Sequence, residues 1–263
     1  MGNKSDFDDA RTRDRLLPFS PLGRDAMVLM LTWAAGSVDA ISYLALDHVF
    51  TANMTGNTVL LGLAIGQGHG WAALRSIVAL AGFALGAALG ARIVERAPKG
   101  GDWPPAVTRA IFLEGVILGI FAVTWHLPGV ARSGSVVYAL IALSAVAMGM
   151  QSAAIRHLNV PGVATTYITG TLTSFMAGFV GWLGSVDLLS SSSKSASNTA
   201  VPASPAAQKK HGARLQAAVF FIYGLAAVAS GIIQVRCPSF VTLSPLVAVA
   251  LVVANASLRH RYE

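Results

Sequence analysis

The chain of 263 residues is 54% hydrophobic and only 12% charged, and its mean hydropathy is +0.60. Soluble domains carry about 25% charged residues, so this composition excludes an ordinary water-soluble domain and indicates a surface that lies mainly in lipid. The net charge of +7 does not indicate a nucleic-acid-binding protein, because the basic residues stand at the ends of apolar segments, as topology signals do. A single cysteine, Cys237, excludes an intramolecular disulfide.

The N-terminal segment, residues 1–25, mixes arginines with aspartates. It lacks the basic start and the short apolar core of a cleavable signal peptide. We therefore expect a cytoplasmic tail, followed by a first apolar segment that is retained in the membrane as a helix.

Apolar segments long enough to cross about 30 Å of hydrocarbon follow along the chain. They occupy residues 26–46, 72–95, 106–127, 136–155, 214–235 and 240–257. Two further segments, 52–67 and 163–184, each begin with a polar passage that contains Thr-Gly. Residues 185–213 are rich in Ser and Ala and predict a disordered aqueous loop. The pattern predicts an all-α, polytopic transmembrane helical bundle.

The two halves of this bundle resemble each other, which predicts a two-fold internal repeat over residues 26–127 and 136–257. The aligned pairs are TANMTGNTVLLG from Thr51 with TTYITGTLTSFMAG from Thr165, and FALGAALGARIVERAP (83–98) with YGLAAVASGIIQVRCP (223–238).

The distribution of Lys and Arg distinguishes two topologies for this repeat. If both Thr-Gly segments are short, broken or re-entrant, six full spans remain and 16 of the 19 Lys and Arg residues lie inside. With eight spans the number inside is 13. The positive-inside rule favours six spans, and three spans per half make the repeat inverted, as in many transporters. Eight spans stay an alternative, because 163–184 is long enough to cross. We expect a plasma-membrane protein with a cytoplasmic N-terminus.

Polar side chains inside predicted spans are candidates for a binding site, because they are expensive in lipid. Asp39, near the middle of the first span, is either a coupling or ligand-binding carboxylate or a packing residue bonded to Ser42, Tyr43 or another polar neighbour. Glu114 either binds an ion or reaches towards the membrane surface. The candidate solute- or ion-binding residues are Asp39, Tyr43, Asn53, Thr55, Gly56, Asn57, Glu114, Gln151, Thr169 and Gly170.

The passage from Asn53 to Asn57 contains Gly56, where the backbone can leave the helix. Free amides and carbonyls in broken helices bind ions and small solutes in transporters. The same residues also fit a helix start that Asn or Thr caps, and such an N-terminus attracts anions. Gln151 stands near the position that matches Asp39, and the second half has no carboxylate there, so any coupling is expected to be asymmetric.

Two consecutive motifs carry a family resemblance. They are G-x-x-D-A-x-x-Y at Gly36, Asp39, Ala40 and Tyr43, and V-F-x-x-N-M-T-G-N over 49–57. In these motifs the chain resembles the YoaK-like family, multi-pass membrane proteins of bacteria and fungi that are catalogued as a domain of unknown function. The resemblance covers about 25–257 without the Ser-rich insert. It implies a membrane location and supplies no substrate or catalytic residues.

A secondary transporter or permease for a small solute is the function that these features predict. The chain has no P-loop, G-x-S-x-G or Rossmann glycine pattern, so ATP use, enzymatic activity and a bound cofactor are not expected. Its six histidines lack the paired spacing of a metal site. The alternatives are a passive channel and a non-transporting scaffold or accessory protein. Expected partners are the lipid bilayer, a small solute and a second copy of the chain, since the glycines at 82, 86 and 90 permit close helix packing either within the monomer or between copies.

Overall fold

A computed structural model describes residues 23–96, 103–127, 134–159, 169–174, 176–177, 180 and 205–262. The predicted N-terminal tail up to residue 22 and residues 185–204 of the predicted loop lie outside these ranges. The helices are α1 (Arg24–Ala45), α2 (Met54–Gly66), α3 (Gly70–Val94), α4 (Pro105–His126), α5 (Ser135–His157), α6 (Pro205–Arg236) and α7 (Leu243–Tyr262), with a short 3-10 helix at Pro238–Phe240 between the last two. The residues described between 169 and 180 are helical as well.

Six helices in the described part of the chain are long and apolar enough to cross a membrane: α1, α3, α4, α5, α6 and α7. The predicted all-α polytopic bundle with six spans is therefore confirmed. Helix α2 has 13 residues, which is about 20 Å at 1.5 Å per residue. It is too short to cross about 30 Å of hydrocarbon.

The chain enters and leaves the α2 region on one side of the bundle, which we call face 1. The carboxylate of Asp47, just after α1, lies 3.3 Å from the guanidinium of Arg75 at the start of α3. Both residues also line a cleft of about 280 Å³ together with the start of α5. Because α1 ends and α3 begins on face 1, the segment between them is re-entrant, as the charge distribution predicts.

Helices α4 and α7 fix the opposite side, face 2. Near the start of α4, Thr108 Oγ1 lies 3.0 Å from Nε2 of His260, which is near the end of α7. At the end of α4, His126 Nε2 lies 3.3 Å from Oγ1 of Thr242, which precedes α7. The two helices are therefore antiparallel over their full length. With six spans, α1, α4 and α6 run from face 2 to face 1, and α3, α5 and α7 run in the reverse direction.

The glycine ridge of α3 packs against α5 within the monomer. A Cβ on Gly86 would collide with the backbone carbonyl of Val146, and one on Gly90 would lie 2.9 Å from the carbonyl oxygen of Met150. These glycines let the two backbones approach closely. The ridge is therefore covered by α5 and is not a free surface for a second copy.

Two further glycines make the same kind of contact, one between α1 and α6 and one on the α3–α5 pair itself. A Cβ on Gly36 of α1 would lie 2.5 Å from the carbonyl oxygen of Tyr223 on α6. A Cβ on Gly149 of α5 would collide with the carbonyl oxygen of Phe83 on α3. Helix α1 thus packs on α6 as α5 packs on α3.

Helix α6 begins earlier than the sequence predicts. It starts at Pro205, so residues 205–213, which the sequence places in a disordered loop, are helical. The reason is local: proline suits the first helical position, and the Ala, Gln and Lys residues that follow have high helix propensity.

Helix α1 is the most enclosed of the six spans: 67% of its most apolar 18-residue stretch is buried, compared with 17% of that of α6. It packs against α6 and α7 and also contacts α5. A polar side chain on the buried faces of α1 therefore lies at the centre of the molecule.

Candidate functional site

Asp39 is the focus of a polar cluster inside the bundle. It lies six residues before the end of α1, about 9 Å along the helix, and is 3% exposed. Its Oδ1 accepts the backbone N–H of Thr51 at 2.8 Å and that of Ala52 at 2.6 Å. The N–H of Asn53 lies 3.0 Å from Oδ2 and 3.3 Å from Oδ1. A single carboxylate therefore holds three consecutive backbone amides.

The fourth donor to Asp39 comes from the other half of the chain, since the hydroxyl of Tyr223 on α6 donates to Oδ2. An ionised carboxylate only accepts hydrogen bonds, and these four donors match that form. Three aligned amides make a concave anion site, and the positive end of α2 follows directly. The anion-attracting helix start that the sequence predicts is thus filled by the chain's own Asp39.

We call residues 46–57 the polar hairpin; Asn57 and Asn53 fix its return into α2. Asn57 Oδ1 accepts the N–H of Phe50 at 2.9 Å, and its Nδ2 donates to the carbonyl oxygen of Phe50 at 2.6 Å. Asn53 Oδ1 accepts the N–H of Gly56 at 3.2 Å and caps α2. Of the two roles predicted for Asn53, a helix cap and a solute ligand, the structure shows the cap.

Gly56 leaves room for an aromatic cluster on the polar hairpin. A Cβ at this position would lie 2.9 Å from the ring of Phe50. That ring stacks on Tyr43 with centroids 5.1 Å apart, and the His48 ring meets Tyr43 edge-on at 5.0 Å. The predicted candidate Tyr43 is 38% exposed and contacts the hairpin from its outer side.

The reversal of the chain after α1 depends on two left-handed residues. Asp47 and His48 have φ values of 61° and 62°, a conformation that Asp and His adopt more readily than most residues. Their turn directs the chain back alongside α1 towards Asp39. The ion pair of Asp47 with Arg75 holds the same turn against α3.

Gln151 and Glu114 lie apart from the polar hairpin, and both are fully buried. Gln151 Nε2 donates to the carbonyl oxygen of Leu31 at 3.0 Å and joins α5 to α1. Glu114 in the middle of α4 does not reach the membrane surface, and within the described residues neither of its carboxyl oxygens has a hydrogen-bond partner.

The remaining candidates are Thr55, near the start of α2, and Thr169 and Gly170, which are helical. Thr55 and Thr169 are exposed and Gly170 is half-buried. Thr173 Oγ1 donates to the carbonyl oxygen of Thr169 at 3.0 Å, an ordinary bond within a helix. The structure thus brings Asp39, Asn53, Gly56 and Asn57 together at the polar hairpin.

Sequence reasoning missed several polar residues around α1. Besides Tyr223, they are Trp33, whose Nε1 donates to Ser244 Oγ at 2.9 Å, and Ser37, whose Oγ lies 3.2 Å from the same oxygen. Only Tyr223 left a signal in the sequence. In the aligned stretches it stands opposite Phe83 and differs from it by one hydroxyl.

Comparison with known proteins agrees with this architecture. A family model described as "Protein of unknown function (DUF1275)" matches residues 27–256. The UPF0700 transmembrane protein YoaK of Bacillus subtilis (strain 168) is 42% identical over 160 residues, which cover 61% of this chain and 69% of that protein. No solved structure matches the chain. The chain is therefore an integral membrane protein that belongs to the DUF1275 family.

Proposed function

We propose that this protein is a secondary transporter of a small solute and that the solute binds where Asp39 meets the polar hairpin. The observation that carries the proposal is a re-entrant segment whose base is held by a buried carboxylate. Transporters bind their substrates near discontinuous helices of this kind, at the junction of two repeats. Here Tyr223 brings the second half of the chain to the same carboxylate.

The predicted internal repeat, which this mechanism uses, draws support from the helix contacts. Gly36 meets the carbonyl of Tyr223, and Gly149 meets that of Phe83. The sequence alignment pairs 83 with 223, and the two glycines lie at similar distances before the two Thr-Gly pairs, Gly36 19 residues before Thr55 and Gly149 20 before Thr169. Helices α1 and α5 run in opposite directions, as an inverted repeat requires.

The donors around Asp39 indicate the chemistry of the solute. Three of them are backbone amides of the hairpin, so only the Tyr223 hydroxyl belongs to a helix of the other half. A cation or a hydrogen-bond donor on the solute would replace that hydroxyl at Oδ2. Replacing this one bond frees α6 from the carboxylate while the hairpin stays in place, which is the kind of step that alternating access needs.

The orientation that we infer places face 2 in the cytoplasm of the plasma membrane. Helices α3, α4, α5 and α6 carry Arg92, Arg109, Arg156 and Arg214 near this face, whereas face 1 has Arg75 and Arg236. Cytoplasmic loops carry the excess of Lys and Arg.

A non-transporting scaffold is the second candidate, and the satisfied polar atoms favour it. The oxygens of Asp39 and the amide of Asn57 all bond within the protein, so the hairpin needs no solute to be stable. If these residues serve packing alone, mutating them lowers the stability of the protein, and no solute transport is affected because the scaffold transports none.

Uptake by liposomes that contain the purified protein tests the proposal. The vesicles are given a proton or sodium gradient and a pool of amino acids, sugars, organic acids and nucleobases, and their contents are measured by mass spectrometry. We expect gradient-driven accumulation of at least one solute, a loss of more than tenfold in Asp39→Asn, and no loss in Thr58→Ala, which changes an exposed residue outside the polar hairpin.

Other results of the uptake assay indicate one of the two alternative functions, a channel or a scaffold. A solute that equilibrates without accumulating indicates a channel. If no solute enters above the level of empty vesicles while Asp39→Asn lowers the melting temperature, the protein is a scaffold and the transporter proposal is wrong.

A further inference from the structure

We infer that Glu114 binds and releases a proton and that the proposed transport is coupled to protons through this residue. The coupling rests on the proposed function, whereas the protonation chemistry of Glu114 does not. The inference starts from a carboxyl group that the polar hairpin does not use.

The surroundings of Glu114 are apolar. Its side chain is 0% exposed, and neighbours on α4 such as Ile111 and Leu118 belong to the buried core with Val249 of α7. Within the described residues neither carboxyl oxygen has a hydrogen-bond partner. An ionised carboxylate without a partner is very costly in such a place, so in this conformation Glu114 is the neutral acid.

Among the described residues of the helices that pack against α4, no charged group at the level of Glu114 offsets this cost. The helices packed against α4 are α5, α7 and α3, and in the described part of the chain their titratable or charged side chains stand towards the helix ends. On these helices and on α4 itself they are Arg75, Arg92, Arg109, His126, Tyr138, Arg156, His157, Arg259, His260, Arg261 and Tyr262.

Glu114 lies at the depth in the membrane at which transporters place coupling-ion sites. It lies nine residues after the start of α4, about 14 Å, and twelve before its end, about 18 Å. It is therefore close to the centre of a membrane of about 30 Å, where transporters place coupling-ion sites.

Polar positions on the α4–α7 pair lie between the level of Glu114 and face 2. The contacts of Thr108 with His260 and of His126 with Thr242 set the register of α4 against α7. In that register Glu114 is level with Asn255, whose Oδ1 is buried without a partner among the described residues. An unused acceptor thus lies at the level of an acid that has a proton to donate.

A hydrogen-bonded polar group lies nearer face 2 on the same two helices. Thr108 Oγ1 lies 3.0 Å from His260 Nε2 and accepts the indole N–H of Trp103 at 3.1 Å. Asn255 and His260 both lie on α7, five residues apart, so the polar positions descend along one helix pair.

The proton step is simple. When water reaches Glu114 from one face, the O–H bond of the acid breaks, the proton passes to that water, and the electron pair stays on the carboxylate oxygen. After the conformational change, water on the other face returns a proton. Solute binding at Asp39 favours one of the two conformations, which couples the two sites.

Infrared spectroscopy of the full-length protein in liposomes tests the protonation directly. The probe is the carbonyl stretching band of neutral carboxylic acids, recorded in water and after transfer to D₂O. We expect a band that shifts to lower frequency in D₂O, disappears in Glu114→Gln and persists in Asp39→Asn, because Asp39 has the partners of an ionised carboxylate. Glu114→Asp, which keeps an acid at this site, should move the band rather than remove it, and it replaces Glu114→Gln if that variant does not fold.

Two results overturn the inference: a spectrum in which Glu114→Gln removes no band, or a band that shows no shift after prolonged exposure to D₂O, which marks a sealed acid. Neither result requires a solute, so either leaves the transporter proposal standing.

In the uptake assay, Glu114→Gln should lose accumulation driven by a pH gradient by more than tenfold and keep solute exchange at equal pH. Full retention of pH-driven accumulation refutes the coupling alone.

Discussion

The α1–α6 and α3–α5 interfaces are built on the same contact but carry different chemistry. In each, one glycine meets the carbonyl of an aromatic residue, Gly36 with Tyr223 and Gly149 with Phe83. The first interface adds a hydroxyl and a carboxylate, because Tyr223 bonds to Asp39. The second has a phenyl ring instead.

The difference shows that close packing and polar chemistry are separable in this fold. Asp39 lies three residues after Gly36, and Ser152 lies three after Gly149, which places both on the helix face that carries the glycine. The glycine contact sets the distance between backbones in both interfaces. The residue one turn later differs between them: in α1 it is the carboxylate that binds the polar hairpin, and in α5 it is the hydroxyl of Ser152.

The largest effect is expected where this polar chemistry is removed, in Asp39→Ala. It leaves three backbone amides of the hairpin without their acceptor, and each buried unsatisfied donor costs about 1–3 kcal/mol. We expect a loss of about 3–5 kcal/mol, in the range for breaking a buried charged network, measured as the free energy of unfolding in detergent micelles.

The matched control for that variant is Ser152→Ala, for which we expect a loss below about 1 kcal/mol, as for an ordinary hydroxyl hydrogen bond. Equal losses at the two positions would contradict the view that the first interface alone carries a structural polar centre.

Intermediate effects are expected from the feature that the interfaces share. Gly36→Ala and Gly149→Ala each force the two backbones apart; overpacking costs about 1–3 kcal/mol, and because each Cβ would meet backbone atoms we expect the upper end of that range. Gly119→Ala is the control, because nothing lies within 4 Å of a Cβ at that position. Thermal unfolding of the three variants measures the effect, and a tolerant Gly149→Ala would show that the α3–α5 contact is not the equivalent of its counterpart.

The smallest effect is expected from the single hydroxyl that distinguishes the interfaces. Tyr223→Phe removes one hydrogen bond to a charged group, which contributes about 1.5–3 kcal/mol; because the three amides still hold Asp39, we expect the lower end of that range. Hydrogen exchange of the amides of residues 51–53, read by mass spectrometry, should be faster in Tyr223→Phe than in the wild type. The reciprocal Phe83→Tyr should leave that exchange unchanged, and an equal acceleration would refute a specific role for the Tyr223 hydroxyl.

Much of the fold follows from the sequence because a lipid environment constrains it strongly. The predicted spans 26–46, 72–95 and 106–127 differ from α1, α3 and α4 by three residues or fewer at each end. Apolar length determines them, and the positive-inside rule separates the re-entrant α2 from a true span. The start of α6 was not predictable in the same way, because its first turns are polar.

The site was only partly predictable because its main bonds involve the backbone. The sequence identifies Asp39 and the Asn53–Asn57 passage as unusual for a span. It does not show that the partners of Asp39 are amides of residues 51–53, since these donors depend on a left-handed turn at Asp47 and not on side-chain type. Tyr223 is 184 residues away along the chain, and its place opposite Asp39 depends on helix packing that no local pattern contains.

The short sequence distance between Asp39 and its amide donors bears on how the chain enters the membrane during synthesis. These bonds span 12 to 14 residues, so they can form as soon as α2 has emerged, long before Tyr223 is translated. A charged residue normally makes the insertion of a helix less favourable. Here the nascent chain itself supplies the backbone amides that offset the charge of Asp39. Helix α1 and the hairpin can therefore enter the bilayer as one unit, on which the second half of the protein can dock later.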